Sequence, residues 1–371
     1  MDNFVNIADV CSEIFAGGDA PKSNMSATKT DEYKIPIFSN GEADNGLYGY
    51  TNFARVTKPS ITVSARGTIG FVAARNEPFV PIVRLISLTP NPEKIELKYL
   101  YYAIQNYKFD GSGTSIPQLT VPMLKKYSFP LPTKEQQLAV IDQLDNVCNL
   151  ISLRKQQLSK LDELVKSRFI ELFGDSNYPY EPLDNNVIEM FIGPFGSSLK
   201  NEFFVDEEDG FCMVYEQKHA IQKTMDVSTR YVPKSKYEEL KRFTVLGGDI
   251  IVSCRGTIGE IYTVPNDAPI GIMHPSIMKI RLNTEKYNQA FFVFALEQYM
   301  NEHSAEAKGS GVKMAVSATV LGQSDFVVPP MEVQNQFAAF VEQTDKSKLA
   351  IQQSLEKLET LKKALMQKYF G

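Results

Sequence analysis

No stretch of this chain approaches the roughly 18 consecutive apolar residues of a membrane-spanning helix, so the sequence excludes such a span. The opening MDNFVNIADVCSEIF lacks a basic segment followed by an apolar one, which predicts no secretory leader. Cysteine is scarce. Cys11, Cys148, Cys212 and Cys254 lie far apart and form no CxxC pair, a usage that predicts reduced thiols in a cytoplasm rather than disulfides or zinc. His219, His274 and His303 are too dispersed for metal-ligand spacing. There is no GxxxxGK[ST] phosphate loop and no Gly-x-Ser-x-Gly nucleophile turn. Glu13-Ile14-Phe15-Ala16-Gly17-Gly18 loosely echoes a glycine turn of S-adenosylmethionine-dependent methyltransferases, but no convincing strand precedes it. Asn177-Tyr178-Pro179-Tyr180 departs from the Asn/Asp-Pro-Pro-Tyr/Phe signature of amino-methyltransferases. No catalytic residue and no metal ligand can be assigned, and the chain reads as a binder and scaffold.

An excess of positive charge is missing too. The net charge is −5 over 371 residues, which does not announce a nucleic-acid binder. Residues 1–132 carry 13 Lys+Arg against 12 Asp+Glu, and residues 175–330 carry 14 against 21. Any DNA contact must come from a local basic patch or from a larger assembly that supplies phosphate contacts.

What the chain does have is periodicity. From Thr133 to Gly174, apolar residues step by alternating four and three: Val140, Leu144, Val147, Ile151, then Leu158, Leu161, Val165 and Leu172. Arg154 and Arg168 fall on the same stripe as breaks. A 3.5-residue period held this long describes a coiled-coil seam. Pro132, Thr133 and Gln136 predict a capping-box start, and Gly174 a stop. At about 1.5 Å per residue such a helix is roughly 60 Å long and needs a partner.

The partner lies in the same sequence. Phe129, Pro132, Glu135 and Gln137 recur as Phe326, Pro329, Glu332 and Gln334. Leu158, Leu161 and Leu164 recur as Leu355, Leu358 and Leu361, and Phe173-Gly174 as Phe370-Gly371. The chain is therefore a variable block (1–132), a long helix (133–174), a second variable block (175–330) and a second long helix (331–371). The expected seam comprises Leu144, Ile151, Leu158, Leu161 and Val165 with Val341, Leu355, Leu358 and Leu365. Duplication favours antiparallel pairing within the chain, with pseudo-twofold symmetry, over a homodimeric coiled coil.

The first block predicts a short helix over residues 3–12, strands over 33–38, 60–64 and 71–73, and a strand pair within 78–88. It also predicts a loop over 46–50, a helix over 97–105, a glycine-rich loop over 111–118 and a helical turn within 121–127. The second block repeats the landmarks. The hairpin turn Ser64-Ala65-Arg66-Gly67-Thr68-Ile69-Gly70 returns as Ser253-Cys254-Arg255-Gly256-Thr257-Ile258-Gly259. The class is α+β: two α/β domains with curved antiparallel sheets, separated by two long helices.

Polar residues on these loops are the DNA-contact candidates: Ser39, Asn40, Tyr48, Arg66, Thr68, Ser112, Thr114 and Gln118 in the first block. In the second they are Ser197, Ser198, Gln217, Lys218, His219, Arg255, Thr257, Lys308, Ser310 and Lys313. Arginine beside a glycine turn reaches a guanine edge or a phosphate, or else holds the hairpin. Identity of Arg66 and Arg255 in both copies favours holding or phosphate positioning, because blocks reading different sequences need not share a base contact. For Tyr48 and Tyr50, packing outweighs stacking.

These residues carry a resemblance. The paired Ser-x-Arg-Gly-Thr-Ile-Gly hairpins, Pro132-Thr133-Lys134-Glu135-Gln136-Gln137 opening the first helix, and Phe-Gly closing both helices occur twice in one order. The whole chain resembles the DNA-specificity subunit of a type I restriction-modification system. The second helix opening, Pro329-Pro330-Met331-Glu332-Val333-Gln334, departs from the pattern by lacking the Glu-Gln pair. The resemblance implies a non-catalytic subunit with two target-recognition domains, each reading one half of a bipartite, asymmetric site in double-stranded DNA. It implies that two adenine-N6 methyltransferase subunits dock on the helices and that a motor-nuclease subunit joins them. S-adenosylmethionine, ATP and magnesium would belong to those partners, with no cofactor in this chain. Two other readings remain: a recognition subunit of another defence system, and a coiled-coil interaction protein with no DNA role.

Overall fold

The computed structural model describes residues 4–107, 109, 118–174, 177–255, 257–310 and 317–371, with side chains left undescribed over 304–310. Elements of the first part, in order, are β1 (Phe4–Asn6), α1 (Ile7–Val10), β2 (Cys11–Ala16), β3 (Ile35–Phe38), β4 (Leu47–Thr51), β5 (Ser60–Val63) and β6 (Val72–Arg75). There follow β7 (Val80–Pro81), β8 (Ile86–Pro90), α2 (Leu97–Gln105), α3 (Val121–Leu124), β9 (Ser128–Pro130) and the long helix α4 (Lys134–Phe173). The second part holds β10 (Tyr180–Pro182), β11 (Val187–Ile192), β12 (Cys212–Tyr215), α5 (Gln217–Gln222), β13 (Tyr231–Val232), α6 (Lys234–Glu239) and β14 (Thr244–Val245). It continues with β15 (Ile250–Ser253), β16 (Ile261–Thr263), β17 (Gly271–Met273), β18 (Ile277–Leu282), α7 (Gln289–Ser310), α8 (Ala318–Gln323), β19 (Asp325–Val327) and α9 (Met331–Phe370).

The chain forms two compact units, Met1–Leu158 with Ala350–Gly371, and Ser159–Leu349. In the first, β2-β8-β5-β6 is an antiparallel sheet. Its central strand β5 is buried at every position, as its β-branched run requires. A second sheet, β4-β3-β7, contains the parallel pair β3·β7. The core joins Ile61, Val63, Ile86 and Leu88 to Tyr99, Leu100, Ala103 and Ile104 of α2. The second unit repeats this with β11-β18-β15-β16, and with β13-β12-β17-β14, in which β12·β17 is parallel. Each unit also has a two-stranded ribbon, β1-β9 or β10-β19.

Several local expectations need correcting. Residues 3–12, expected as one helix, hold β1, α1 and the start of β2, because Phe4–Asn6 pairs with the distant Ser128–Pro130. Residues 46–50, expected as a loop, enter β4; a Cβ on Gly49 would fall 2.7 Å from Ser26 O, so glycine serves close packing there. The two strands within 78–88 do not pair with each other: β7 joins β3, and β8 joins β2 and β5.

The long helices pair antiparallel in each unit. In the first, Val140, Ile141, Leu144 and Val147 share a core with Met366 and Phe370. Tyr369 donates to Gln143 (2.7 Å), and Lys155 meets Glu359 at 3.5 Å. In the second, Val165 and Phe173 share a core with Phe337, and Lys348 meets Asp162 at 2.6 Å. Of the expected seam, Leu144 and Val165 are buried, while Ile151, Leu158, Leu161, Val341, Leu355, Leu358 and Leu365 are half-buried. Arg154 also sits half-buried on the stripe, its guanidinium turned to Gln157 (2.8 Å). Thr133 and Gln136 cap α4 reciprocally, at 3.1 and 3.4 Å.

One residue anchors each long helix to its own unit. Gln137 is buried; it accepts from Glu96 N and donates to Lys94 O and Pro132 O. Gln334 is buried in the same way, accepting from Asn288 N and donating to Lys286 O and Pro329 O. A buried amide with its hydrogen-bonding groups met fixes orientation as well as position.

Candidate nucleic-acid interface

In the first unit, three strand ends meet at the corner Ile82-Val83-Arg84. Ile82 N donates to Phe38 O at the end of β3 (2.9 Å), and Arg84 N to Gly17 O just after β2 (3.0 Å). Asn40 Nδ2 donates to Val83 O (2.6 Å), while Asn40 Oδ1 accepts from Ala65 N, just after β5 (2.7 Å). The segments leaving these ends carry Ser39, Asn40 and Arg66. Arg66 in turn donates from Nε to Gln118 Oε1 at 2.9 Å. Asn40, Arg66 and Gln118 are thus brought together, with Ser39 in the same turn. Thr68 is exposed two residues after Arg66. Tyr48 is exposed on β4, between the pairs Leu47–Phe38 and Gly49–Ile37. The hairpin closes by Gly70 N to Ser64 O (2.9 Å), and Gly70 holds φ +86°, a left-handed value suited to glycine.

The second unit builds the same corner from His274-Pro275-Ser276. His274 N donates to Tyr215 O at the end of β12 (2.9 Å), and Cys254 N, after β15, donates to Ser276 O (2.8 Å). Gly193, after β11, packs so tightly that a Cβ would lie 2.3 Å from His274 O. Around this corner stand Pro194 to Ser198, Glu216 to Lys218, and Arg255 and Thr257. Ser197, Arg255 and Thr257 are exposed, and Ser198 and Gln217 half-buried. Arg66 and Arg255, picked out by the repeated hairpin, both emerge at their corner.

Charge at the second corner is organised around a buried carboxylate. Glu216 is 8% exposed, with one oxygen on the Arg230 guanidinium and Lys218 Nζ 2.7 Å from the other. Burial pushes its pKa up, but the hydrogen bonds from Arg230 and Lys218 outweigh that and hold it below the usual carboxylate range. Arg230 also reaches Asn201 (3.3 Å) and lies 3.9 Å over the Phe204 ring. Lys218 thus spends part of its charge inside the protein.

One candidate is removed. Gln217-Lys218-His219, expected as a polar loop, opens α5, and helical geometry turns His219 fully into the core. Its Nδ1 accepts from Glu216 N at 3.1 Å, and its ring lies 5.4 Å from that of Tyr215. Burial lowers its pKa, so it is neutral and has no access to DNA. Lys308 and Ser310 belong by backbone to the end of α7 rather than to a loop, and their side chains fall outside the described residues. Ser112, Thr114 and Lys313 also lie outside the described residues.

The sequence passed over Arg84, Arg230 and Phe195. Val83 and Arg84 hold φ of +52° and +68°; a β-branched residue in that region is an outlier, and such strain concentrates at functional sites. Both side chains are exposed. Nothing in Pro81-Ile82-Val83-Arg84-Leu85 announces a left-handed turn. Among the described residues, no group of three or more His, Cys, Asp or Glu could hold a metal, and no helix is long and apolar enough to cross a membrane.

Two copies of one corner, each fed by loops with different side chains, match a known pattern. A family model described as the type I restriction modification DNA specificity domain matches residues 3–163 and 206–362. The chain belongs to that family. A protein named as a type I specificity subunit, from Mycoplasma pneumoniae, is 33% identical over 168 residues, which cover 42% of this chain and 46% of that relative. The chain spans about half the length of such Mycoplasma relatives. Among solved structures, the S subunit of a type I restriction-modification system from M. genitalium has a TM-score of 0.57 at 18% identity, covering 100% of this chain and 96% of its own. A structure described as the basis of complex assembly and conformational transition of the type I R-M system reaches 0.61 at 14% identity, covering 99% and 97%. At these identities the likeness concerns the fold.

Proposed function

We propose that this chain selects the DNA sequence on which a type I restriction-modification complex acts. Each unit reads one half of a bipartite, asymmetric site with the loops at its corner. The observation that carries this is the repetition of the corner: the same strand ends and the same closing bond, Ile82 N to Phe38 O and His274 N to Tyr215 O, but Asn40, Arg66 and Gln118 in one unit against Lys218, Arg230 and Arg255 in the other. A common frame with different polar side chains suits two readers of different base sequences. The paired helices set the separation of the half-sites and dock two adenine-N6 methyltransferase subunits; a motor-nuclease subunit joins for restriction. The chain itself performs no chemistry. S-adenosylmethionine, ATP and magnesium act in the partners, and the complex works in the cytoplasm. Methyltransferase subunits closing around the duplex supply phosphate contacts that a chain of net charge −5 does not.

The test is exchange of residues 1–130 for those of another family member, followed by sequencing of methylated adenines in host DNA. One half-site changes and the other stays. A change in both half-sites overturns the assignment of one half-site to each unit. Failure of the assembled complex to bind any DNA overturns the function altogether and leaves a coiled-coil interaction protein.

A further inference from the structure

Phe195 is 87% exposed, more than any other large apolar side chain among the described residues. It is not a floppy tip. Gly193 N donates to Ile277 O (2.9 Å), Pro194 is buried, Ser198 N donates back to Phe195 O (2.8 Å), and Leu199 is buried again at 4%. The chain is nailed down on both sides of the ring while the ring stands in solvent. Collapse onto the neighbouring surface would bury apolar area, so the fold holds the ring out against the hydrophobic effect.

The loop that carries the ring borders charged residues. It starts at the His274 corner, to which Lys218 and Arg255 also belong, and Lys200, its side chain 59% exposed and 3.9 Å from the similarly exposed Glu202, follows five residues after the ring. A rigid aromatic among cations at the end of a sheet is the chemistry of nucleic-acid contact, where bases meet the ring and phosphates the cations. The first unit offers a contrast. After Gly17, which packs on Pro81 as Gly193 packs on His274, come Gly18 and the exposed Asp19 in place of Pro194 and Phe195.

We propose that Phe195 is a wedge: its ring enters double-stranded DNA at one base step of the half-site read by the second unit, with Lys218 and Arg255 on flanking phosphates. The inference rests on the DNA-reading function above. It makes the two half-sites physically unlike, one partly unstacked and the other not.

The test uses the complex with its methyltransferase partner and a duplex of the methylated sequence. 2-Aminopurine is placed in turn at each position other than the two target adenines. The unchanged complex raises fluorescence at one step of the second half-site. Phe195→Ala abolishes that rise and weakens binding of the cognate duplex by about tenfold or more, while Phe195→Trp restores both. Signals at the first half-site, thermal stability and assembly with the methyltransferase stay as they were. Unchanged affinity and fluorescence in Phe195→Ala overturn the wedge. Loss of methyltransferase assembly instead makes Phe195 a protein contact and overturns it equally. Absence of DNA binding by the unchanged complex refutes the DNA-reading function, and the wedge with it.

Discussion

At the scale of single residues, the corners depend on glycines whose neighbours leave no room for a side chain. A Cβ on Gly17 would lie 2.4 Å from Pro81 O, and one on Gly193 2.3 Å from His274 O, both against backbone that cannot swing aside. Gly17→Ala and Gly193→Ala are expected to destabilise their own unit by about 1–3 kcal/mol. Gly18→Ala, with nothing within 4 Å, is the control and is expected to change little. Denaturant titrations of the three variants compare these directly; equal stability would mean the corners are looser than drawn. Residue identity in the sequence told part of this story. The repeated Arg66 and Arg255 marked the two hairpins, and both do stand at a corner. His219 failed as a candidate because nothing in Glu216-Gln217-Lys218-His219 separates a loop from the first turn of a short helix, and the period of 3.6 decides burial. Phe195 was hidden for the opposite reason: an aromatic beside Gly-Pro reads as packing until its exposure is known.

Elements were legible in proportion to how local their causes are. The helix expected over 97–105 is α2 residue for residue, and of the four-three stripe after Thr133 Val140, Leu144, Val147 and Val165 are buried while Ile151, Leu158, Leu161 and Leu172 are half-buried. Periodicity, caps and tight turns lie within a few residues of one another. Strands β1 and β4 were lost because pairing with Ser128–Pro130 and Ile35–Phe38 decides them, and pairing is written nowhere in their own composition. The parallel pairs β3·β7 and β12·β17 were lost likewise. For the long helices, the proposed spacing role can be tested by length. Adding seven residues to α4 between Ile151 and Leu158, and seven to α9 between Leu355 and Lys362, keeps the heptad register. The addition is about 10 Å, close to three base pairs of duplex. The expected methylation site keeps both half-sites with a spacer longer by that amount. An unaltered spacer with altered half-sites would sink the idea of a ruler.

For the molecule as a whole, the second unit carries a built-in sensitivity to acid. The hydrogen bond from buried Lys279 to Glu189 (2.7 Å) holds that carboxyl below its usual range, with Arg281 adding to it, and Glu216 is held low beneath Arg230 and Lys218. A carboxylate with a depressed folded value stabilises the native state fully above its ordinary value of 4.5, and that stabilisation is lost as pH falls through the depressed value. Hydrogen-exchange protection of peptides from residues 177–349, corrected for the slower intrinsic exchange of amides in acid, is therefore expected to fall below about pH 4.5. Glu189→Gln with Glu216→Gln is expected to remove much of that pH dependence; an unchanged slope would show that other groups govern it. A last consequence concerns change over generations. The corners are fastened largely by backbone groups, Ile82 N to Phe38 O and His274 N to Tyr215 O, and those bonds are indifferent to which side chains the loops carry. Exposed loop side chains such as Ser197 and Arg255 can therefore change where little folding free energy is at stake, whereas Asn40, whose amide fastens Val83 O and Ala65 N, cannot. On the proposed function, the sequence read by either unit can change in small steps through its exposed loop side chains, without the chain passing through an unfolded intermediate.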